Sequence, residues 1–278
     1  MIDNTSTTRH MPSGKQIRLS RIFGSAGRRA LVVPMDHSVT IGPLGDSGHA
    51  DATAALLSRA GADAVVVHKG RARTIAPSRF GSMGLIVHLS AGTNLAVDQT
   101  RKVIVGSVEE CLALGADAVS VHVNVGAPTE SEQLSDLGAV AAECDRLGVP
   151  LLAMMYARGG IADAGNTSVT TLSHLGAIAT DLGADVVKLD YAGSPDRMNE
   201  VVASCPLPVL VAGGPSITSD DAAIEFGLQV TESRVAGLSF GRLIFGAEHP
   251  QRVAAALADR LHRDRSPAHA HTATLELA

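Results

Sequence analysis

Short runs of consecutive apolar residues recur along the chain, and longer segments with a helical period of apolar positions separate them. The runs are rich in valine, alanine and leucine, which is typical of parallel strands that are buried on both faces. Three of the runs follow the same Gly-Ala-Asp sequence, at residues 61–63, 115–117 and 183–185. Because glycine readily ends a helix, each copy predicts a junction between a helix and the strand after it.

Counted in this way, the chain of 278 residues contains eight strands, most of them separated by enough residues for a helix. The predicted strands are residues 30–36, 64–68, 85–90, 118–124, 150–156, 186–190, 208–212 and 235–240. Alternating units in this number predict an α/β fold, a single (β/α)8 TIM barrel. A doubly wound open sheet is the alternative, but no Gly-x-Gly-x-x-Gly sequence follows the first strand. We expect the barrel at residues 15–263, between disordered segments at 1–14 and 264–278.

Polar and ionisable side chains collect where the predicted strands end, whereas the strands begin with small and apolar residues. In a TIM barrel the chemistry takes place at the carboxyl ends of the strands, so this asymmetry favours an enzyme. The strand-end residues that we expect to line the site are Asp36, His37, Lys69, His122, Asn124, Tyr156, Lys188 and Asp190. Residues alternate between the two faces of a strand, which places Lys188 and Asp190 together and Tyr191 opposite, in a packing role.

Lys188 is unusual because it stands inside an apolar run, in a chain with only three other lysines. Lys15 and Lys102 occupy positions where a solvated lysine is ordinary. An amine held in an apolar wall tends to lose its proton, and a neutral amine can attack a ketone to form a Schiff base. The alternative is a lysine that reaches solvent from the strand end or pairs with Asp190.

Schiff-base chemistry also needs a group that moves protons. Tyr156, at the end of the strand before that of Lys188, is in position to do so. Asp36, at the end of the first strand, is a second candidate and is also suited to binding substrate hydroxyl groups. These three residues form the predicted catalytic set.

The last two strands end differently from the others, in glycine. Gly213 and Gly214 follow the seventh strand, and Gly241 and Arg242 follow the eighth. Glycine lets the backbone approach a ligand closely, and backbone N–H groups at these two loops commonly bind phosphate in this fold. Arg242 would add a charged fork, so we expect a phosphorylated substrate. The alternative is that the glycines only make tight turns.

Two other classes of function are open from the residues alone. His37, His68, His88 and His122 lie at the ends of the first four strands and could together hold Zn²⁺, as in a metal-dependent aldolase, although no close ligand spacing supports a metal site. A barrel that only binds a sugar phosphate, as a sensor or scaffold, would not need the lysine.

Composition removes several further classes of partner. The net charge of -5 and the scarcity of aromatic residues give no reason to expect nucleic acid or an anionic membrane. No apolar stretch approaches the roughly 20 residues that span a bilayer, and the N-terminus does not resemble a secretory signal. The scattered cysteines Cys111, Cys144 and Cys205 are typical of reduced thiols, so we expect a cytoplasmic protein.

Taken together, these motifs resemble the archaeal-type class I aldolases, a family that includes fructose-bisphosphate aldolases and heptulosonate synthases. The resemblance covers about residues 15–262, and it is nearer to the heptulosonate synthase branch. The stretches that carry it are 33–37, 68–70, 115–124, 152–156, 186–188, 212–215 and 241–242. Three positions depart from the usual family pattern, namely Ser38, Asp190 and Leu243. Asp190 replaces an amide and adds a negative charge beside Lys188.

The resemblance implies that Lys188 forms the Schiff base, that Tyr156 is the acid and base, and that Asp36 is its partner. It implies phosphate binding at the glycines of the last two strands, no cofactor beyond the covalent imine, and a homo-oligomer, with rings of ten subunits known in the family. The implied reaction joins dihydroxyacetone phosphate to L-aspartate 4-semialdehyde. The alternatives within the family are cleavage of fructose 1,6-bisphosphate and a lysine-dependent thiolase reaction.

Overall fold

The computed structural model describes residues 11–24, 27–43, 45–159, 167–214 and 219–263. The helices are α1 Ser13–Phe23, α2 Ser38–Ile41, α3 His49–Arg59, α4 Lys69–Ala72, α5 Val108–Ala113, α6 Glu130–Leu147, α7 Val169–Asp181, α8 Pro195–Ala203, α9 Asp220–Thr231, α10 Arg242–Phe245 and α11 Pro250–Arg263, with a 3₁₀ helix at Pro77–Phe80. The strands are β1 Ala30–Pro34, β2 Ala64–His68, β3 Gly84–His88, β4 Ser90–Ala91, β5 Val103–Ile104, β6 Ala118–Val125, β7 Leu151–Ala157, β8 Val186–Leu189, β9 Val209–Ala212 and β10 Gly237–Ser239. Among the described residues, no helix is long and apolar enough to cross a membrane.

Eight parallel strands close a barrel in the order β1-β10-β9-β8-β7-β6-β3-β2, which confirms the predicted (β/α)8 fold. The third strand is shorter than expected, because the chain leaves the barrel after His88. Ser90 and Ala91 instead form a small antiparallel ladder with Val103 and Ile104, outside the barrel. The residues expected to be disordered at 1–10 and 264–278 lie outside the described residues, and Ser13 and Gly14 already belong to α1.

The two faces of the strands pack as the alternation predicts. Val119, Val121 and Val123 of β6 lie in the core layer between barrel and helices. Ala118 of the same strand joins a second apolar cluster inside the barrel, together with Val186 of β8. Because side chains alternate along a strand, Ser120 and His122 of β6 and Lys188 of β8 therefore also face the barrel interior. Tyr191 packs in the outer layer against Phe226, as expected.

The repeated Gly-Ala-Asp sequence has a structural role at the amino end of the barrel. The side chains of Asp63, Asp117 and Asp185 each accept a hydrogen bond from the backbone N–H of the first or second residue of the neighbouring strand, at 2.8–2.9 Å. A carboxylate at this point satisfies a strand end that would otherwise lack a partner. Each aspartate also pairs with a cation from the N-terminal segment.

The structure corrects the expectation that Lys15 is solvated. Its side chain is 1% exposed and its Nζ atom lies 2.5 Å from Asp145 and 2.7 Å from Asp185. Arg21 binds Asp117 at 2.7 Å and Arg28 binds Asp63 at 2.6 Å in the same way. Helix α1 and the residues after it therefore close the end of the barrel that is opposite the predicted site.

Candidate active site

Lys188 reaches the barrel mouth from β8. It faces the interior because Val186, two residues earlier, belongs to the apolar cluster inside the barrel. Its hydrogen-bonding neighbour across the sheet is Met154 of β7, and Tyr156 follows Met154 on the same inward face. The Nζ atom of Lys188 lies 6.0 Å from the centre of the Tyr156 ring, and the residue is 7% exposed. The structure thus brings together the amine and the phenol that the sequence singled out.

Asp36 lies just beyond β1 among histidines. Its carboxylate is 3.4 Å from Nδ1 of His37 and 3.7 Å from Nε2 of His88. Burial alone would raise the pKa of Asp36, but electrostatic interaction with His88, His37 and Lys188 lowers it overall. Asp36 is therefore an ionised carboxylate at neutral pH, close enough to Lys188 to interact with it electrostatically.

His88 is held by a second contact, since its Nδ1 atom lies 2.8 Å from the hydroxyl of Ser120 on β6. Burial lowers the pKa of His88 to about 4, which outweighs the opposite influence of Asp36. His88 is consequently a neutral imidazole at physiological pH. It was considered only as a metal ligand from the sequence, whereas the structure places it beside the carboxylate of the predicted catalytic set.

His122 and Asn124 face inward from β6, as the alternation predicts. The His122 ring packs 4.7 Å from the Tyr156 ring, and burial lowers its pKa to about 3. Its Nε2 atom donates to Oδ1 of Asn124 at 2.8 Å, and Nδ2 of Asn124 donates to the carbonyl of Thr100 at 2.6 Å. Both ends of the Asn124 amide are thus used within the protein, so its placement favours anchoring of the loop at Thr100 over the substrate contact that we expected.

Lys69 was expected to bind substrate, and the structure does not bring it to Lys188. Its Nζ atom pairs with Glu110 at the start of α5, at 2.9 Å. The reason is the alternation at the end of β2. His68 takes the inward position, with its ring 5.2 Å from that of His88, so Lys69 turns towards the outer layer.

Two cations at the mouth were missed by the sequence reasoning. Lys102 is half-buried, and burial followed by the charge of Arg158 lowers its pKa, against the opposing effect of Asp36 and Asp98. Arg158 lies with its guanidinium carbon 5.3 Å from the centre of the Tyr156 ring. The alternation along the strand could have predicted Arg158, because residues two apart lie on the same face and Arg158 follows Tyr156 by two. It could not have predicted Lys102, which comes from a loop and not from a strand end.

Asp190 follows β8 and is half-buried. Burial raises its pKa, and the charges of Arg158 and Lys188 act in the opposite direction. Its placement near Lys188 agrees with the prediction from the alternation. The charge of Arg158 also acts on Asp190, and the sequence reasoning did not predict this interaction.

The glycines predicted to bind phosphate lie at the ends of β9 and β10, beside β8 in the barrel. Gly214 has φ +62°, a conformation that other residues rarely adopt. A Cβ atom at Gly241 would come within 2.4 Å of the carbonyl oxygen of Pro34, so the close packing of β10 on β1 requires glycine there. Arg242 is exposed, and its charge contributes, after burial and Lys188, to a lowered pKa of His37. The structure therefore places Arg242 on the His37 side of the mouth.

The histidines considered as metal ligands lie at or near the carboxyl ends of β1, β2, β3 and β6. Within the described residues, no three side chains of histidine, cysteine, aspartate or glutamate are grouped so that they could hold a metal ion. Cys111, Cys144 and Cys205 are all buried and none forms a disulfide in the described part of the chain.

A family model described as "DeoC/LacD family aldolase" matches residues 30–247, which include every side chain described above at the mouth. The chain belongs to this aldolase family. Family membership makes the protein a carbon–carbon lyase, and it explains why the lysine, the phenol and the carboxylate meet at the same end of the barrel.

The chain also matches individual proteins over about nine tenths of its length. A 2-amino-4,5-dihydroxy-6-oxo-7-(phosphonooxy)heptanoate synthase from Streptomyces griseus is 42% identical over 90% of this chain and 91% of its own. A 2-amino-3,7-dideoxy-D-threo-hept-6-ulosonate synthase from Halobacterium salinarum is 40% identical over 92% and 94%. A solved archaeal fructose-1,6-bisphosphate aldolase, with its catalytic lysine bound to the carbinolamine intermediate of its substrate, has a TM-score of 0.81 and 27% identity, and the match covers 89% of this chain and 99% of that one.

Proposed function

We propose that this protein is a class I aldolase that joins dihydroxyacetone phosphate, or a related ketose phosphate, to L-aspartate 4-semialdehyde. The name of the Streptomyces relative describes a seven-carbon acid with an amino group, a ketone and a phosphate. A three-carbon ketone phosphate and a four-carbon amino-acid aldehyde add up to this skeleton. The single observation that carries the proposal is the inward-facing Lys188 beside Tyr156, with the ionised Asp36 in electrostatic reach.

The chemistry begins with attack of Lys188 Nζ on the ketone carbon, which gives a carbinolamine. Loss of water forms an iminium ion, and its positive nitrogen draws electrons from the adjacent C–H bond. Removal of that proton leaves an enamine, whose carbon attacks the aldehyde and forms the new C–C bond. The aldehyde oxygen takes up a proton, and water then releases the product and restores the amine.

Tyr156 is proposed to carry the protons in these steps, because the centre of its ring lies 6.0 Å from the amine of Lys188. Asp36 is proposed to balance the positive charge of the iminium ion. The backbone at Gly213, Gly214 and Gly241, with Arg242, is proposed to bind the phosphate of the donor. We further propose that the reaction proceeds without a metal or cofactor, and that the protein works in the cytoplasm as a homo-oligomer.

Borohydride reduction in the presence of dihydroxyacetone phosphate tests the imine directly. The chain has four lysines, so peptide mass mapping assigns any stable adduct to one of them. We expect the adduct on Lys188, its loss in Lys188→Met, and its retention in the matched variant Lys69→Met, whose lysine pairs with Glu110.

An adduct on Lys102 would move the reactive amine to the other lysine of the mouth and overturn the assignment. Absence of any adduct, together with loss of activity in a chelator, would favour the histidine–metal mechanism instead. Faster cleavage of fructose 1,6-bisphosphate than condensation with L-aspartate 4-semialdehyde would replace the proposed substrate.

A further inference from the structure

Positive groups lie on both sides of Lys188 at the mouth. In the barrel, β8 stands between β9 and β7, so the glycine loops and Arg242 lie on one side of Lys188 and Arg158 lies on the other. A phosphate on the first side accounts for one end of a phosphorylated ketone. It does not account for the cations on the β6–β7 side.

Arg158 directly follows β7, and its exposed guanidinium group covers the ring of Tyr156 at 5.3 Å. Lys188 lies 6.0 Å from the same ring, so the two cations share one aromatic neighbour. Among the described residues, Arg158 forms no ion pair with a carboxylate. A planar fork of donors held over the tyrosine, and not consumed by a protein carboxylate, is suited to bind a carboxylate from a ligand.

Lys102 lies on the loop between β4 and β5, within electrostatic reach of His88 and His122 at the mouth and of Arg158. Its side chain folds over Gly92, where a Cβ atom would come within 2.8 Å of Nζ and 3.0 Å of Cδ. The carbonyl of Thr100, two residues earlier, is fixed by Asn124 at 2.6 Å and by Gln133 at 3.1 Å. A lysine that is half-buried in a fixed loop, beside a second cation, indicates a site that becomes stable when an anion enters it.

Asp190 completes the arrangement with a negative charge. It is half-buried next to both Arg158 and Lys188, and it forms no ion pair at hydrogen-bonding distance with a described residue. Two cations and one anion at the same edge of a pocket match an α-amino acid, which presents a carboxylate and an ammonium group on one carbon. A phosphorylated acceptor would have its phosphate repelled by Asp190.

We propose that Lys102 and Arg158 bind the carboxylate, and Asp190 the ammonium group, of an α-amino-acid aldehyde acceptor. This inference rests on the proposed aldolase function and names the residues that select its second substrate. The donor phosphate lies on the β9–β10 side, the reactive carbon at Lys188, and the amino-acid end on the β6–β7 side. Asp190 adds a negative charge beside Lys188, which burial in an apolar wall does not explain. In this proposal, the charge of Asp190 serves to bind the ammonium group of the acceptor.

Steady-state kinetics with two acceptors test the assignment. In Arg158→Gln and Lys102→Gln, kcat/KM for L-aspartate 4-semialdehyde should fall roughly 10- to 100-fold, as expected for loss of a charged hydrogen bond. With propanal, which has neither charged group, kcat/KM should fall much less than it does with L-aspartate 4-semialdehyde. Arg101→Gln, an exposed arginine next to Lys102, is the matched loss of charge and should change neither value. Asp190→Asn should lower KM for glyceraldehyde 3-phosphate.

Borohydride trapping with dihydroxyacetone phosphate separates folding defects from lost recognition, because it needs Lys188 but no acceptor. Each variant should still form the adduct on Lys188, which shows that it is folded, and Arg158→Lys should recover part of the activity that Arg158→Gln loses with L-aspartate 4-semialdehyde. If wild type forms no product with L-aspartate 4-semialdehyde, the proposed function fails. If wild type is active but Arg158→Gln and Lys102→Gln affect both acceptors equally, or neither, the recognition site is wrong and the aldolase assignment stands.

Discussion

At the scale of single residues, the site depends on a balance between burial and charge around Asp36. His88 and His122 are kept neutral by burial, with pKa values lowered to about 4 and about 3. Electrostatic interaction with His88, His37 and Lys188 lowers the pKa of Asp36 below its ordinary value, against the effect of burial. The mouth therefore holds an ionised carboxylate beside a neutral imidazole, that of His88, and Asp36 acts electrostatically on Lys188.

The neutral state of His88 predicts a pH-dependent stability. A histidine whose pKa is lower in the folded state binds fewer protons when folded, so its contribution is complete above about pH 6.5 and is lost as the pH falls towards 4. We expect His88 to account for about 2 kcal/mol of the loss in unfolding free energy between pH 7 and pH 5. Urea unfolding of wild type and His88→Gln at both pH values measures this difference.

The glutamine variant can retain the hydrogen bond to Ser120, so its stability at pH 7 is the internal control. Between pH 7 and pH 5, the unfolding free energy of His88→Gln should fall by about 2 kcal/mol less than that of the wild type. Equal losses in the two proteins would show that His88 is not the titrating group.

Sequence reasoning worked at this scale where a residue belonged to a strand. The period of two placed Lys188, Tyr156 and Asp190 at the mouth and Tyr191 in the outer packing, and the structure agrees. The same alternation turns Lys69 outward to Glu110, although we had expected Lys69 to line the site. It does not reach Lys102, whose position is set by a loop. Side-chain direction outside regular structure depends on tertiary contacts that no local pattern contains.

At the scale of elements, the segment between β4 and β5 is the least predictable part of the site and one of its most important. The two strands are only two residues long each, too short for a periodic pattern. Their positions are set by contacts to β6 and α6, chiefly through Thr100. Gln133 of α6 is 1% exposed. Its Nε2 atom donates to the Thr100 carbonyl at 3.1 Å, and its Oε1 atom accepts a hydrogen bond from the backbone N–H of Asn124 at 2.8 Å.

Replacement of Gln133 should therefore loosen the segment that carries Lys102. In Gln133→Met, we expect amide hydrogen exchange within residues 92–105 to accelerate roughly tenfold or more, because a buried carbonyl loses one donor and a backbone N–H loses its acceptor. Hydrogen-exchange mass spectrometry resolves this segment from the barrel strands. Gln229→Met on the exposed face of α9 is the matched control. Unchanged exchange at 92–105 would show that other contacts fix the loop.

At the scale of the whole molecule, the barrel divides its two ends between chemistry and stability. The carboxyl end collects Lys188, Asp36 and Asp190, whose charges are kept for ligands. The amino end uses its charges within the fold, where three aspartates of one repeated sequence bind strand N–H groups and the cations of the N-terminal segment. The repeat was visible in the sequence, but its ion pairs were not, since Lys15 and Asp185 are distant in the chain.

This division predicts that Lys15 matters for stability and not for the reaction. Lys15→Met removes the cation that lies 2.7 Å from the buried carboxylate of Asp185, and we expect the unfolding free energy to fall by about 3 kcal/mol. Arg146→Met, which breaks an exposed pair with Glu109, should cost less than about 1 kcal/mol. Denaturant unfolding measures both, and borohydride trapping on Lys188 should remain intact in each folded variant.

A second substitution separates lost charge pairing from lost packing. Asp185→Asn removes the buried negative charge that Lys15 pairs with but keeps an oxygen that can accept the N–H of Leu151, so Lys15→Met with Asp185→Asn should recover at least about 1 kcal/mol relative to Lys15→Met alone. A double variant no more stable than the single one would place the effect of Lys15 in its packed side chain. Recovery would show instead that the N-terminal helix is attached to the barrel through charge, at the end where the protein has no chemistry to perform.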